Sequence, residues 1–204
     1  MKADDEPQTQ TRGNSRLWIP AVLVGLSALA TYLVVAGRNS GRQEPALPVV
    51  PVADFDVDRF LGDWYEIARI EQGWGRPLIR TRVEYSLADS GALEIVSRGF
   101  HPGTNRWAES RGSARFVGTP PTGAMKASFF GPFTEDYHVV ALDPDYRWAM
   151  IMGDAPESFR LLSRSPVLDG DLADMLIDQA VAMGVDADRV HWVMQDGVNP
   201  TGGW

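Results

Sequence analysis

The feature of this sequence that most constrains its fold is a series of short segments in which apolar and polar residues alternate. Eight such segments follow one another between residues 64 and 163, and turn-forming runs such as Asp89-Ser90-Gly91 separate them. Short strands joined in sequence by short loops predict an all-β fold, an eight-stranded antiparallel up-and-down β-barrel. The predicted strands cover residues 64–70, 80–87, 92–100, 106–117, 123–129, 136–142, 148–153 and 159–163.

The alternation ends after Pro166. The run Asp169-Gly170-Asp171 can cap a helix, which we predict over residues 172–183, with an apolar face that would pack on the barrel wall. A short ninth strand is predicted over residues 190–193, and residues 196–204 form a loop-like tail. The predicted packing face of the helix consists of Leu172, Leu176, Ile177, Ala180 and Val181.

Three motifs frame the predicted barrel. Gly62 and Trp64 open the first strand, Thr134-Glu135-Asp136-Tyr137 leads the sixth, and Arg164 follows the last. In this order they resemble the signature of the lipocalin family: a Gly-x-Trp, a Thr-Asp-Tyr-like turn and a late arginine. The run Phe129-Phe130-Gly131-Pro132-Phe133 is similar to the bacterial branch of that family, which includes outer-membrane lipoproteins and is akin to apolipoprotein D. The resemblance covers roughly residues 55–195.

Two of these residues also have a direct physical interpretation. One end of a barrel must be closed, because an open end would admit water to an apolar interior. Trp64 can plug that end, and Arg164 can lay its guanidinium over the indole face, a cation–π contact worth about 0.5–2 kcal/mol. We therefore interpret Trp64 and Arg164 as closure residues and not as ligand contacts.

Strand alternation, counted from Trp64 and Arg164, predicts which side chains point inside the barrel. The inward set mixes small residues with aromatic ones and contains few polar groups, which is typical of a small-molecule pocket; a solid core is the alternative. Ile70 and Ala141 are also predicted to face inside. The predicted ligand-binding residues are Glu66, Ala68, Val83, Tyr85, Ile95, Ser97, Phe116, Met125, Ala127, Phe129, Tyr137, Val139, Arg160 and Leu162.

Glu66 and Arg160 are the polar residues of this set that matter most, because burying either charge alone is costly. They form a satisfied internal pair, or Arg160 contacts the carboxylate or phosphate of an amphiphile. The family resemblance implies a fatty acid or lysophospholipid, bound for storage or transport at the cell envelope. Both interpretations of the pair remain open from the sequence.

Other function classes receive little support. The net charge of −8 disfavours nucleic acid as a partner. Without cysteine the chain has no disulfide, no thiolate zinc site, no cysteine nucleophile and no cysteine for lipid attachment. The histidines at 101, 138 and 191 lack metal-ligand spacing, so we predict no metal, no cofactor and no catalytic residue. A lipocalin-fold enzyme and a filled-barrel interaction module are the alternatives, and a homodimer is left open.

The N-terminal quarter has a different composition. A polar segment over residues 1–16 precedes an uncharged segment over 17–36, which as a helix would span about 30 Å, the thickness of the hydrocarbon layer. We predict an uncleaved transmembrane signal anchor there, with a cleaved signal peptide as the alternative. A Pro/Gly linker over 37–53 would then lead to a lipocalin domain over 54–195. The predicted localisation is the bacterial inner membrane, single-pass, with the barrel facing the periplasm.

Overall fold

The computed structural model describes residues 49–71, 77–118 and 121–196. In this part of the chain there are ten strands, a one-turn helix α1 (Val57–Phe60), a longer helix α2 (Gly170–Ala182), and two 3-10 turns, Pro156–Ser158 and Ala187–Arg189. The strands are β1 Gly62–Ile70, β2 Ile79–Leu87, β3 Leu93–His101, β4 Arg106–Phe116, β5 Met125–Phe130, β6 Phe133–Asp136, β7 His138–Leu142, β8 Trp148–Met152, β9 Arg160–Ser163 and β10 Val190–Trp192.

The strands form one antiparallel sheet in the order β6-β5-β4-β3-β2-β1-β9-β8-β7, with β10 added on β1. Its two ends are consecutive in sequence, because only Tyr137 separates β6 from β7. The backbone N–H of Tyr137 donates to the carbonyl of Met125 on β5, while β7 pairs with β8. The sheet is therefore a nearly closed barrel, and the prediction of an antiparallel barrel with a C-terminal helix is confirmed. The predicted turn at 134–137 is instead mostly strand β6.

Two register shifts change which side chains face the interior. On β1 the pairing with β9 shifts between Glu66 and Ala68, and on β7 the pairing with β8 shifts between Val139 and Ala141. A one-residue shift moves the following side chains to the other face of a strand. Ala68, Ile70 and Ala141, which alternation predicts inside, accordingly lie in a cluster on the outer side of the wall.

Helix α2 covers that outer cluster. The Asp169 side chain accepts a hydrogen bond from the Leu172 backbone N–H, as the predicted cap requires. The buried residues of the helix are Ala173, Leu176 and Ala180. Val181, predicted on the packing face, is 42% exposed, so this part of the prediction was wrong.

The closed end of the barrel is built around Trp64, which is fully buried. Its indole N–H donates to the Phe60 carbonyl at 2.8 Å, and the Phe60 ring centre lies 5.0 Å away. Gly62 enters β1 with a φ of 92°, a conformation that a side chain would strain. The Arg164 guanidinium lies over the indole, so the predicted contact is present.

Candidate functional site

Most of the predicted ligand residues lie together inside the barrel. Ala68 is the exception, because the β1 register shift turns it outward. Phe116 and Phe129 are partly buried and pack against the inner cluster. The fully packed members of the predicted set are Val83, Tyr85, Ile95, Met125, Ala127, Tyr137, Val139 and Leu162.

Small residues line the inner face of β3 and β4. Ser97 lies opposite the inward residue Val83, and Ser110 lies opposite Ser97, so both share the inner face. Gly112 lies opposite Ile95 in the same way. Ser97, Ser110 and Gly112 are only half-buried although they face inside. The side chains of the described residues therefore leave Ser97 and Ser110 partly uncovered on the inner face.

Ser110 and Gly112 are missing from the predicted set, although the sequence holds a signal for them. Counting back in twos along β4 from the inward residue Ala114 reaches both positions. Gly112 differs from the two serines, because the Phe129 ring packs directly on it and would overlap a Cβ at that position.

A charged network joins β1 and β9. Glu66 accepts a hydrogen bond from Arg69 Nη1 at 2.7 Å and another from Arg160 Nη1 at 2.5 Å. Arg69 also donates to Glu71 Oε2 at 2.9 Å and to the Leu78 carbonyl at 2.9 Å. The two arginines and two carboxylates balance in charge, as buried ions require.

Arg69 is the member of this network that the sequence does not predict. Simple alternation would place Arg69 and Glu66 on opposite faces of β1, but the register shift between Glu66 and Ala68 brings Arg69 back to the side of Glu66. Nothing in the sequence marks that shift.

Glu66 and Arg160 differ in how far their side chains are exposed. Burial by itself raises the pKa of Glu66, but Arg69 and Arg160 outweigh it and leave that pKa below its ordinary value. Glu66 is thus held as a carboxylate with a side chain only 1% exposed, whereas the Arg160 side chain is 35% exposed. Arg160 lies on the inner face, two residues before Leu162. Among the described residues, its guanidinium makes one side-chain hydrogen bond, to Glu66.

Two further polar features lie near Arg160. The Tyr85 and Tyr137 hydroxyls are 2.5 Å apart and buried, and burial raises the pKa of Tyr85 well above its ordinary value. Glu135 lies opposite the inward residue Ala127. Glu135 is exposed to solvent, but partial desolvation raises its pKa, and Arg160 acts against that shift. The interior thus combines one accessible cation with neutral hydroxyls and an acidic group.

Metal chemistry gains no support from the geometry. Within residues 49–71, 77–118 and 121–196, no three histidine or carboxylate side chains are grouped so that they could hold a metal ion. The imidazole Nδ1 of His138 accepts from the Met125 backbone N–H at 3.2 Å. His138 is therefore part of the β5–β7 junction.

Comparisons with known proteins agree with this architecture. A family model described as a lipocalin-like domain matches residues 55–195. The chain is 38% identical over 171 residues to the outer membrane lipoprotein Blc of Escherichia coli strain K12, covering 84% of this chain and 95% of that protein. It is 37% identical over 168 residues to Blc of Citrobacter freundii, covering 82% and 93%. The resemblance indicated by the motifs is confirmed.

Among solved structures, the cockroach allergen Per a 4 superposes with a TM-score of 0.56 at 15% sequence identity. The match covers 76% of this chain and 97% of the allergen. At that identity the likeness concerns the fold alone.

The relatives contradict one prediction. They are named outer membrane lipoproteins, whereas the sequence analysis predicts a single-pass protein of the inner membrane; the predicted localisation was wrong. The segment 17–36 on which it rested lies outside the described residues. In the part of the chain that is described, no helix is long and apolar enough to cross a membrane.

Proposed function

The chain belongs to the lipocalin family, and from that premise we propose that it binds one small lipophilic ligand inside its barrel. The observation that carries the proposal is the position of Arg160. Its guanidinium is anchored by the buried carboxylate of Glu66, and its side chain remains partly exposed. An arginine held in this way is a ready partner for an anionic oxygen.

The ligand class that suits this arrangement is a single-chain amphiphile, a fatty acid or a lysophospholipid. Its carboxylate or phosphate would lie at Arg160, and its chain would run beside the partly buried inner residues Ser97, Ser110 and Phe129. About ten buried methylenes at about 0.8 kcal/mol each would contribute about 8 kcal/mol before the costs of association. Micromolar affinity corresponds to about 8 kcal/mol, so binding at that level or tighter requires the head group to offset those costs.

The biological role that we propose is lipid storage or transport at the cell envelope. This role agrees with the names of the bacterial relatives, which are outer membrane lipoproteins. The half-buried inner residues Ser97 and Ser110 favour a ligand cavity over a filled barrel that serves only as an interaction module.

The test is native mass spectrometry with lipid extraction on a fragment of residues 51–204, which includes the whole matched domain. We expect a co-purified or added single-chain lipid on the wild-type fragment and on Arg115→Gln, an exposed arginine used as the matched control. Arg160→Gln should lose most of this lipid, because the head group would lose its charged partner. A wild-type fragment that neither carries nor takes up such lipids would favour the filled barrel.

A further inference from the structure

The hairpin of β3 and β4 stands at the open end of the barrel, opposite Trp64. The two strands stay paired from Leu93↔Ala114 to His101↔Arg106, whereas the pairing of β4 with β5 ends at Ser113↔Ser128. From Gly112 to its start, β4 has no β5 partner among the described residues. We call residues 97–112 the mouth hairpin.

The outer face of the mouth hairpin carries an exposed aromatic residue. Trp107 is 62% exposed, and its ring meets the edge of Phe100, its cross-strand neighbour, at a centroid distance of 5.6 Å. Phe133, on the neighbouring hairpin of β5 and β6 at the same end, is 66% exposed. The other exposed large apolar residues of the described chain are not aromatic: Val50, Leu87, Val117, Met175, Val181 and Met194. Exposed aromatics are therefore concentrated around the mouth.

The mouth hairpin also carries an excess of arginine over carboxylate residues. The mouth hairpin contains three arginines, Arg98, Arg106 and Arg111, and one carboxylate, Glu109, while the whole chain carries −8. Arg98 and Arg111 both contact Glu109, and Arg106, next to Trp107, makes no ion pair with any residue that the structure describes. Arg98 also contacts Glu84 of β2, so within the described residues Arg106 supplies the unbalanced positive charge of the mouth hairpin. A cationic side chain beside tryptophan suits the phosphate level of a bilayer.

We propose that the mouth hairpin docks the open end of the barrel on a phospholipid bilayer. Trp107 enters the interfacial layer, where an amphipathic ring is stable, and Arg106 contacts lipid phosphates. The proposal goes beyond ligand binding, because it states how the mouth meets a lipid surface. The alternative is that a second copy of the chain pairs with the free edge of β4. Charged residues on that edge oppose such strand pairing.

The experiment uses the full chain, whose lack of cysteine allows single labels. Thr104→Cys at the tip of the mouth hairpin and Asp89→Cys in a closed-end turn, both exposed, receive the same environment-sensitive fluorophore. The vesicles contain equal parts of phosphatidylcholine and phosphatidylglycerol, with or without bromine on the acyl chains. Any attachment through residues 17–36 is common to both proteins, so the difference between the labels isolates the hairpin.

We expect vesicles to shift the emission of the Thr104→Cys label to the blue and brominated lipid to quench it, with the Asp89→Cys label unchanged. Adding Trp107→Ala should lower the ratio of docked to undocked label about tenfold, equivalent to about 1.4 kcal/mol, and Leu87→Ala should leave it unchanged. Equal responses at the two ends, or no response at either, would overturn the proposal. So would a shift that depends on protein concentration without vesicles, which would indicate a second copy. Lipid extraction tests the ligand proposal separately, because these labels need no lipid inside the barrel.

Discussion

The guanidinium of Arg164 lies 3.8 Å from the centre of the Trp64 indole ring. The same group donates to the carbonyls of Arg59 and Leu61 at 2.9 Å each and to that of Asp63 at 2.8 Å. These carbonyls lie at the end of α1 and the start of β1, where a helix leaves its last acceptors without partners. One side chain therefore covers the floor tryptophan and satisfies the turn that leads into the first strand.

Arg164→Lys should lower the free energy of unfolding by about 2 kcal/mol, because a single ammonium cannot stack on the indole and reach all three carbonyls. Urea denaturation of the two proteins measures the difference. Arg115→Lys, at an exposed position on β4, is the matched control and should change stability by less than about 0.5 kcal/mol. If the two variants lost the same stability, the closure role assigned to Arg164 would be wrong.

Alternation predicts this barrel well where the strands are regular. Val83 and Tyr85 on β2, and Met125 and Ala127 on β5, face inside as their two-residue period indicates. The prediction fails at Ala68, because the register shift on β1 depends on how β9 pairs with it, and β9 lies some ninety residues later in the chain. A local sequence pattern does not carry that tertiary information.

The same shift explains why the charged network could be predicted only in part. The pair Glu66–Arg160 follows from alternation on two strands, and the structure contains it. Arg69 enters the network only through the shift, and with it come the bonds to Glu71 and the Leu78 carbonyl. The sequence thus indicates that a charge pair exists inside the barrel, while its full hydrogen bonding is decided by packing.

The Tyr85–Tyr137 pair should show strong coupling. Tyr85→Phe leaves the Tyr137 hydroxyl buried without its partner, and we expect a loss of about 1–3 kcal/mol. Replacing both tyrosines with phenylalanine removes both hydroxyls, so the double variant should lose less than the sum of the two single variants. Urea denaturation of all four proteins completes the cycle. Additive losses would show that the two hydroxyls do not depend on each other.

The Glu66 carboxylate should make stability depend on pH in the acid range. Its pKa in the folded protein lies below the ordinary value of 4.5, so its contribution is fully present above pH 4.5 and is lost as the pH falls through the folded-state pKa. Glu66→Gln leaves Arg160 without its partner and should cost about 3 kcal/mol at pH 7. This cost should shrink below pH 4.5, as measured by urea midpoints across pH.

If Glu66→Gln does not fold, the double variant with Arg160→Met supplies the reference, because the Arg69–Glu71 pair remains. Its stability should lack the part of the acid dependence that Glu66 contributes in the wild type. A double variant that follows the wild-type curve at every pH would assign the acid sensitivity to other carboxylates.

Filling the interior distinguishes an open lumen from a solid core. Ser97 is half-buried on the inner face, opposite Val83 and Ser110. If the space beside it is open, the Ser97→Phe ring occupies that space, so the melting temperature should stay the same or rise while uptake of a fluorescent fatty acid falls at least tenfold. Ser113→Phe, on the outer face of β4, is the matched control and should bind normally. In a solid core the same ring would be overpacked and cost about 1–3 kcal/mol. A clear drop in the melting temperature of Ser97→Phe, without a drop in Ser113→Phe, would therefore mean that the barrel is filled and that the ligand proposal fails.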